Sequence, residues 1–294
     1  MNDYVVRATA GGGSVRAFVA TTRDTVNEAC DIHKTSPVVS AALGRLLSAA
    51  AIMGLTLKDD SDLLTMNIRG DGELSGLTVT ANNKAMVKGY PYVQNVDIPL
   101  KPNGKLDVSG ALGHGHLTVI KDLGMKEPYV GQIPLVSGEI GEDLTYYFAK
   151  SEQTPSAIAV GVLVDVDYSI KQAGAFFIQM MPSADEAIAD ALEEKLKTFP
   201  TLTTLFEEGK TPEDILDMLL GEFDVKINDK VPVSYFCSCD KERVEKALIA
   251  LGLNELETIL KEDQSANLHC HFCNRNYSFD ENDLKKIIES VQRK

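Results

Sequence analysis

Over residues 1–181 the apolar positions fall into short, β-branched runs broken by glycine, with one long exception. VVRATAGGGSVRAFVATT sets two such runs around a triple glycine and predicts a hairpin. TSPVVSAALGRLLSAAAIMGL opens on Ser36–Pro37, a helix cap followed by proline at the first helical position. Its nearly all-round apolar surface predicts a helix buried on most sides. The apolar tract Val38–Leu57 has the length of a membrane span, but Arg45 near its middle and its many alanines favour a soluble core. Residues 68–80 and 111–122 both carry G-x-G-x-L, at Gly70, Gly72, Leu74 and at Gly113, Gly115, Leu117. Strand-like sequence follows each glycine pair where a phosphate loop needs a helix, so both are expected to be hairpin or bulge turns. His114 and His116 lack a nearby carboxylate or third ligand and are expected to be exposed turn residues. Residues 157–182 hold two apolar runs around a polar turn, the pattern of paired strands ended by Pro182.

Beyond Pro182 the period changes. SADEAIADALEEKLKTF has Ser183 and Glu186 in capping-box spacing, and KTPEDILDMLLGEF starts with Thr211–Pro212. Both predict short acidic helices with apolar stripes such as Ile215, Leu216, Leu219 and Leu220. They can lie as a layer on the first domain or serve as a detachable segment, and short helices depend on such docking for their stability. The remainder alternates cysteine pairs with helices. Asp240 caps KERVEKALIALG, Gly252 can end it, NELETILKED is a second helix, NLHCHFCNRNYSF a tight hairpin, and Asp280 with Asp283 starts a terminal helix. The fold class is therefore α+β. An N-terminal α/β core domain with a mixed or antiparallel sheet spans 1–181, an acidic helical linker 182–230, and a small C-terminal cysteine domain 231–294.

Composition narrows the function. The chain has 294 residues, 44% hydrophobic and 24% charged, as in soluble globular proteins. Its start shows no basic segment followed by an apolar one, so no secretory signal is expected. Net charge is −14. It divides as −4 over 1–181, −8 over 182–230 and −2 over 231–294, so no segment offers the basic face that a phosphate backbone needs. Neither nucleic acid nor membrane is expected as a partner. Five cysteines without a signal peptide point to a reducing cytoplasm, where clustered cysteines mean metal or redox chemistry.

Four of those cysteines carry the strongest signal. Cys237 and Cys239 form C-x-C, and Cys270 and Cys273 form C-x-x-C. Paired thiolates from two chain segments suit the tetrahedron of one zinc ion per chain, and a segment this small needs such a staple. His269 and His271 compete as ligands, since imidazole also binds zinc. Lys241, Arg243 and Arg275 either offset the negative charge of four thiolates or are solvated surface residues. Cys30 stands alone and is read as a small buried hydrophobe. Each cysteine pair is close enough in sequence to close on itself under oxidation. Structural zinc contributes about 10–16 kcal/mol in small peptides, whereas disulfides closing such short loops restrict the unfolded chain by roughly 1.5–2 kcal/mol each. Oxidation is thus expected to unfold the C-terminal segment.

With these cysteines, the SPVVSAALGRLL helix and the GDGEL and GHGHLTV turns, the chain resembles the heat-shock protein 33 family, the 33 kDa chaperonins. The resemblance covers essentially the whole chain. It implies a redox-regulated, ATP-independent holdase chaperone rather than an enzyme. All four cysteines would bind zinc in the reduced, inactive form. In the oxidised, active form the bridges would be Cys237–Cys239 and Cys270–Cys273. The resemblance further implies a homodimer when active, and unfolded or partly folded client proteins as partners. Linker stripes and the sheet beneath them are the candidate client surfaces. The competing readings are a zinc-ribbon nucleic-acid or translation-associated protein, which should show a basic or aromatic surface, and a zinc enzyme or thiol oxidoreductase. A zinc enzyme would need an open coordination position that four thiolates close.

Overall fold

The computed structural model describes residues 3–182 and 184–292. The chain forms two compact units, Met1–Phe236 and Cys237–Lys294. In the first, β1 (Tyr4–Ala10) and β2 (Val15–Thr21) make the expected hairpin. Its turn uses Gly11, Gly12 and Gly13, all at positive φ, a backbone region open to glycine at no steric cost. These strands join β8 (Ser156–Val164), β9 (Ile170–Met180) and β10 (Lys226–Pro232) in an antiparallel sheet of order β10-β1-β2-β9-β8. A second sheet combines β3 (Leu63–Gly70), β4 (Gly76–Ala81), β5 (Met86–Pro91), β6 (Gly115–Asp122), β7 (Tyr129–Pro134) and β11 (Ser234–Tyr235), in order β11-β5-β4-β3-β6-β7. It is antiparallel except where β11 runs parallel to β5.

Helix α1 (Arg23–His33) leads into α2 (Pro37–Gly54), which packs against strands of both sheets. Every α2 residue except Pro37 and Arg45 is buried. The helix is long and apolar enough to cross a membrane, yet 89% of it is buried within the protein, as a core helix requires. Arg45 is tolerated because its Nη1 donates to Glu139 Oε2 at 2.6 Å, and Lys101 pairs with the other oxygen of the same carboxylate. Ser36 takes the cap position, but its hydroxyl exchanges hydrogen bonds with the backbone of Val96 at 2.9 and 3.0 Å and makes none to the helix. The two glycine turns lie back to back: Gly70 pairs with Gly115, and Asp71 N donates to His114 O at 2.9 Å. A side chain at either Gly70 or Gly115 would strike a carbonyl of the facing turn. The first turn closes the β3–β4 hairpin as expected. The second instead joins a short helix, α3 (Val108–Leu112), to β6, because Asp107 caps that turn of helix through Gly110 N.

The residues expected as linker cover the outer face of the first sheet. Helices α5 (Glu186–Lys197), α6 (Leu202–Glu207) and α7 (Pro212–Leu220) bury Leu192, Leu202, Leu205, Phe206, Ile215, Leu216, Leu219 and Leu220. Their partners are Val6, Ala8, Val15, Ala17, Val19, Phe176 and Ile178 of the sheet. The α7 cap forms as read, with Thr211 and Asp214 bonded reciprocally. At α5 the cap is Asp185, which accepts from Ala187 N, so Glu186 is the first helical residue; Ser183 lies outside the described residues. Helix α6 and strand β10 are elements the sequence reading did not anticipate. Strand β10 pairs with β1, where Arg7 forms a forked ion pair with Asp229. Tyr4 donates to Glu213 Oε2 at 2.8 Å, tying α7 to β1.

In the second unit, α8 (Lys241–Ile249), α9 (Leu253–Glu262), the hairpin β12 (Ala266–His269) and β13 (Asn276–Phe279), and α10 (Glu281–Gln292) enclose a small core. Its buried members are Leu248, Leu256, Phe279, Leu284, Ile287 and Ile288. Asp240 and Asp280 cap α8 and α10 as expected.

Ile215→Ala removes a fully buried side chain between α7 and the sheet. It is expected to cost about 2–5 kcal/mol, read as faster amide exchange in α6 and α7. Burial raises the affinity of the Glu139 carboxyl for a proton, but ion pairs with Lys101 and Arg45 outweigh this and hold its pKa below the ordinary 4.5. A depressed folded pKa means stability that is present above the unfolded value and lost as pH falls through the folded one. Urea titrations of wild type and Glu139→Gln should therefore differ at pH 6 and converge as pH falls through the folded-state pKa, which lies below 4.5.

Candidate metal centre

The second unit opens on Cys237. The C-x-C segment runs straight into the capped start of α8, where Asp240 Oδ1 accepts from Arg243 N at 2.7 Å. The other pair sits at the tip of the β12–β13 hairpin. There Cys270 N donates to Arg275 O at 2.9 Å and Asn274 N to Cys270 O at 2.8 Å, with Asn274 at φ 57°. Asparagine tolerates this left-handed turn better than most residues. The two turns bring all four sulfurs within 4.8 Å of one another, a donor set that can hold a metal ion.

Two sulfur–sulfur contacts cross between the pairs. Cys237 Sγ lies 3.8 Å from Cys270 Sγ, and Cys239 Sγ 3.0 Å from Cys273 Sγ. An edge of about 3.8 Å is what a tetrahedron with zinc–sulfur arms of about 2.3 Å requires. All four thiols are free. Burial opposes ionisation of Cys239, but hydrogen bonds from the Tyr277 hydroxyl and the neighbouring thiols outweigh it and bring its pKa to about 7. Cys273 is pushed up by burial and by its bond to Cys239, and Cys237 by burial together with Cys270. One thiolate thus forms readily and its charge resists the next. A divalent cation removes that resistance, which is the electrostatic case for a bound ion.

The histidines stand aside. His269 and His271 are exposed, their rings edge to face at 5.2 Å, and among the described residues the cluster consists of the four cysteines. His269 Nε2 bonds Asn274 Oδ1 at 2.8 Å, steadying the turn. Lys241 is committed to Asp283 at 2.6 Å and stacks over Phe279. Arg243 does reach the site, donating to Ser238 Oγ inside C-x-C at 2.6 Å. Tyr277 also belongs to the site. Its hydroxyl lies 3.0 Å from Cys239 Sγ and 3.1 Å from Cys239 O, and the bond to the sulfur pushes its own pKa up to about 12. Its place three residues beyond the hairpin turn, facing inward by strand alternation, is the signal that marks it. In the first unit, Cys30 is buried and its thiol pushed up by that burial, and His114 and His116 are exposed.

Comparison with known proteins agrees with this architecture. The family model described as Hsp33 protein matches residues 3–280. The chain is 50% identical over 288 residues to the 33 kDa chaperonin of Lachnoclostridium phytofermentans, covering 98% of this chain and 99% of that one. It is 50% identical over 292 residues to the 33 kDa chaperonin of Clostridioides difficile, covering 99% and 100%. The crystal structure of the 33 kDa chaperonin (heat shock protein 33 homolog) of Thermotoga maritima superposes with a TM-score of 0.90 at 35% identity, over 100% of both chains. The chain belongs to the Hsp33 protein family.

Proposed function

We propose that the protein is a cytoplasmic, redox-regulated, ATP-independent holdase chaperone, held inactive in its reduced form by one zinc ion on Cys237, Cys239, Cys270 and Cys273. The observation that carries this reading is the convergence of four sulfurs in a unit with so small a core, in a chain of this family. Bound there, zinc would supply the positive charge that keeps all four sulfurs ionised together and would cross-link the two turns. Holding a client breaks none of its bonds, so the protein needs no catalytic group.

Activation follows from what oxidation does to the thiolates. A two-electron oxidant such as hypochlorous acid takes one sulfur to a sulfenyl species, and its partner thiolate attacks to form a disulfide. Two such events remove four electrons and leave two bridges, Cys237–Cys239 and Cys270–Cys273. These rings close within each turn, so neither ties C-x-C to the hairpin as four ligands on one ion would. The second unit then loses its staple and unfolds. We assign residues 182–230 as the linker that this loss destabilises and 231–294 as the switch segment. Release of the linker helices from Val6, Val19, Phe176 and Ile178 uncovers an apolar face able to hold an unfolding client. Client-bound protein is assigned as a homodimer.

Hypochlorite treatment is expected to release about one zinc per chain, following the one-site count, and to confer suppression of client light scattering without ATP. Zinc loss with unchanged scattering overturns the chaperone reading. Disulfide mapping of the oxidised protein should recover Cys237–Cys239 and Cys270–Cys273. Cross-pair bridges, Cys237–Cys270 and Cys239–Cys273, would keep the two turns joined and refute the switch. Cys270→Ser together with Cys273→Ser should abolish stoichiometric zinc binding.

A further inference from the structure

Residues Ser234–Phe236 end the first unit, immediately before Cys237. They form a strap across the edge of β5 rather than a connecting loop. Ser234 and Tyr235 pair in parallel with Met86 and Val87, and Phe236 N donates to Val87 O at 2.8 Å. Where this short strand ends, the Tyr235 hydroxyl continues its ladder: it donates to Gly89 O at 2.9 Å and accepts from Gly89 N at 3.4 Å. A side chain thus stands in for the next backbone residue. His33 Nε2 also reaches Gly89 O at 2.8 Å and lies 3.3 Å from the Tyr235 hydroxyl. A carbonyl only accepts, so Nε2 carries the proton. Val233 and Tyr235 are buried, while Phe236 faces solvent.

We propose that this strap is a placeholder for the client: the β5 edge is a binding site for an extended polypeptide segment bearing an aromatic side chain, closed in the resting protein by Ser234–Phe236. The inference rests on the chaperone reading and names a client class and docking mode for it. The occupant's chemistry is on view, because the edge already holds an extended, uncharged segment whose aromatic ring fills the place beside His33. Neither β5 nor the strap carries a carboxylate, whereas the whole chain has a net charge of −14. An uncharged extended client therefore fits the edge better than a second, like-charged copy does. Strand addition reads the backbone and tolerates diverse sequences, as a holdase must.

The strap also has the means of release. A two-residue parallel strand offers few hydrogen bonds, and parallel pairing is the weaker kind. Its C-terminal end continues directly into Cys237, so loss of fold beyond that point turns a fixed anchor into a free chain. Opening exposes the backbone of Val87 and Gly89 as an unpaired sheet edge, the usual template for a foreign strand.

The test uses the full chain, reduced and zinc-loaded, with Tyr235→Ala compared with wild type. Expected are unchanged zinc content, amide exchange at Gly89 faster by roughly tenfold or more, and binding of a fluorescent Val-Pro-Val-Ser-Tyr-Phe peptide that reduced wild type does not bind. Oxidised wild type should bind the same peptide, and N-methylation of its alternate backbone nitrogens should abolish binding. Tyr235→Phe, which keeps the ring and loses only the hydroxyl bonds, should show intermediate exchange with native zinc content, so the conclusion does not depend on the larger truncation. The proposal is overturned if Gly89 stays protected after oxidation or if the N-methylated peptide binds equally well. It is likewise overturned if size-exclusion shows Tyr235→Ala pairing with its own copy in place of the peptide. Light scattering by oxidised wild type tests the chaperone reading separately, so either can fail alone.

Discussion

The first sheet is apolar on both faces, and such a sheet must be covered twice. Val5, Phe18, Ala20 and Phe177 face α2 and the central core, while Val6, Ala8, Val19, Phe176 and Ile178 face the opposite way. The inner cover is α2, buried at every residue but Pro37 and Arg45. The outer cover is drawn from the most acidic of the three segments, net −8 over residues 182–230. Its grip is one row of leucine, isoleucine and phenylalanine side chains, trimmed by ion pairs such as Lys230–Glu213 and Lys171–Glu207. Exposed ion pairs contribute little, so this layer stays in place chiefly through buried area, helped by the Tyr4–Glu213 hydrogen bond. The acidic surplus opposes it. A cover that is sufficient yet not secure is what a concealed apolar surface needs if it is ever to be shown.

The second unit depends on a different balance. Its core is a handful of side chains gathered by α8, α9, α10 and β13. Domains of this size seldom hold together on apolar burial alone. The four sulfurs join its first residue to the tip of its hairpin, and Tyr277 and Arg243 brace the two turns from outside. Ionisation of one sulfur opposes ionisation of the next, a repulsion that a bound cation would relieve.

Much of this was legible in the residues because it depends on local rules. Pro37, Pro212, Asp240 and Asp280 mark helix starts, the triple glycine marks a hairpin, and C-x-C with C-x-x-C marks a soft-metal site. What escaped is non-local or weakly patterned. Strand β10, KINDKVP, is polar on its exposed side and becomes a strand only because β1 offers an edge. Helix α6, rich in threonine, has low helical propensity and is held by Leu202, Leu205 and Phe206 against the sheet. Ser36 reads as a helix cap, yet Val96 claims its hydroxyl. The repeated G-x-G-x-L looks like two similar turns, and only the fold shows that they press against each other. Tyr277 is invisible without the hairpin register that turns it toward Cys239.

The pairing of β1 with β10, Tyr4 opposite Pro232, has a consequence for how the molecule is made. The ribosome delivers the first of these strands near the beginning and its neighbour only after both sheets' other long strands have emerged. Until then Tyr4–Ala10 keeps an open rim, and before α5, α6 and α7 emerge the apolar face it shares with β2 and β9 has no helices over it. Contacts so distant along the chain are slow to form. The nascent protein therefore passes, during its own synthesis, through a state in which the surface it later conceals lies bare.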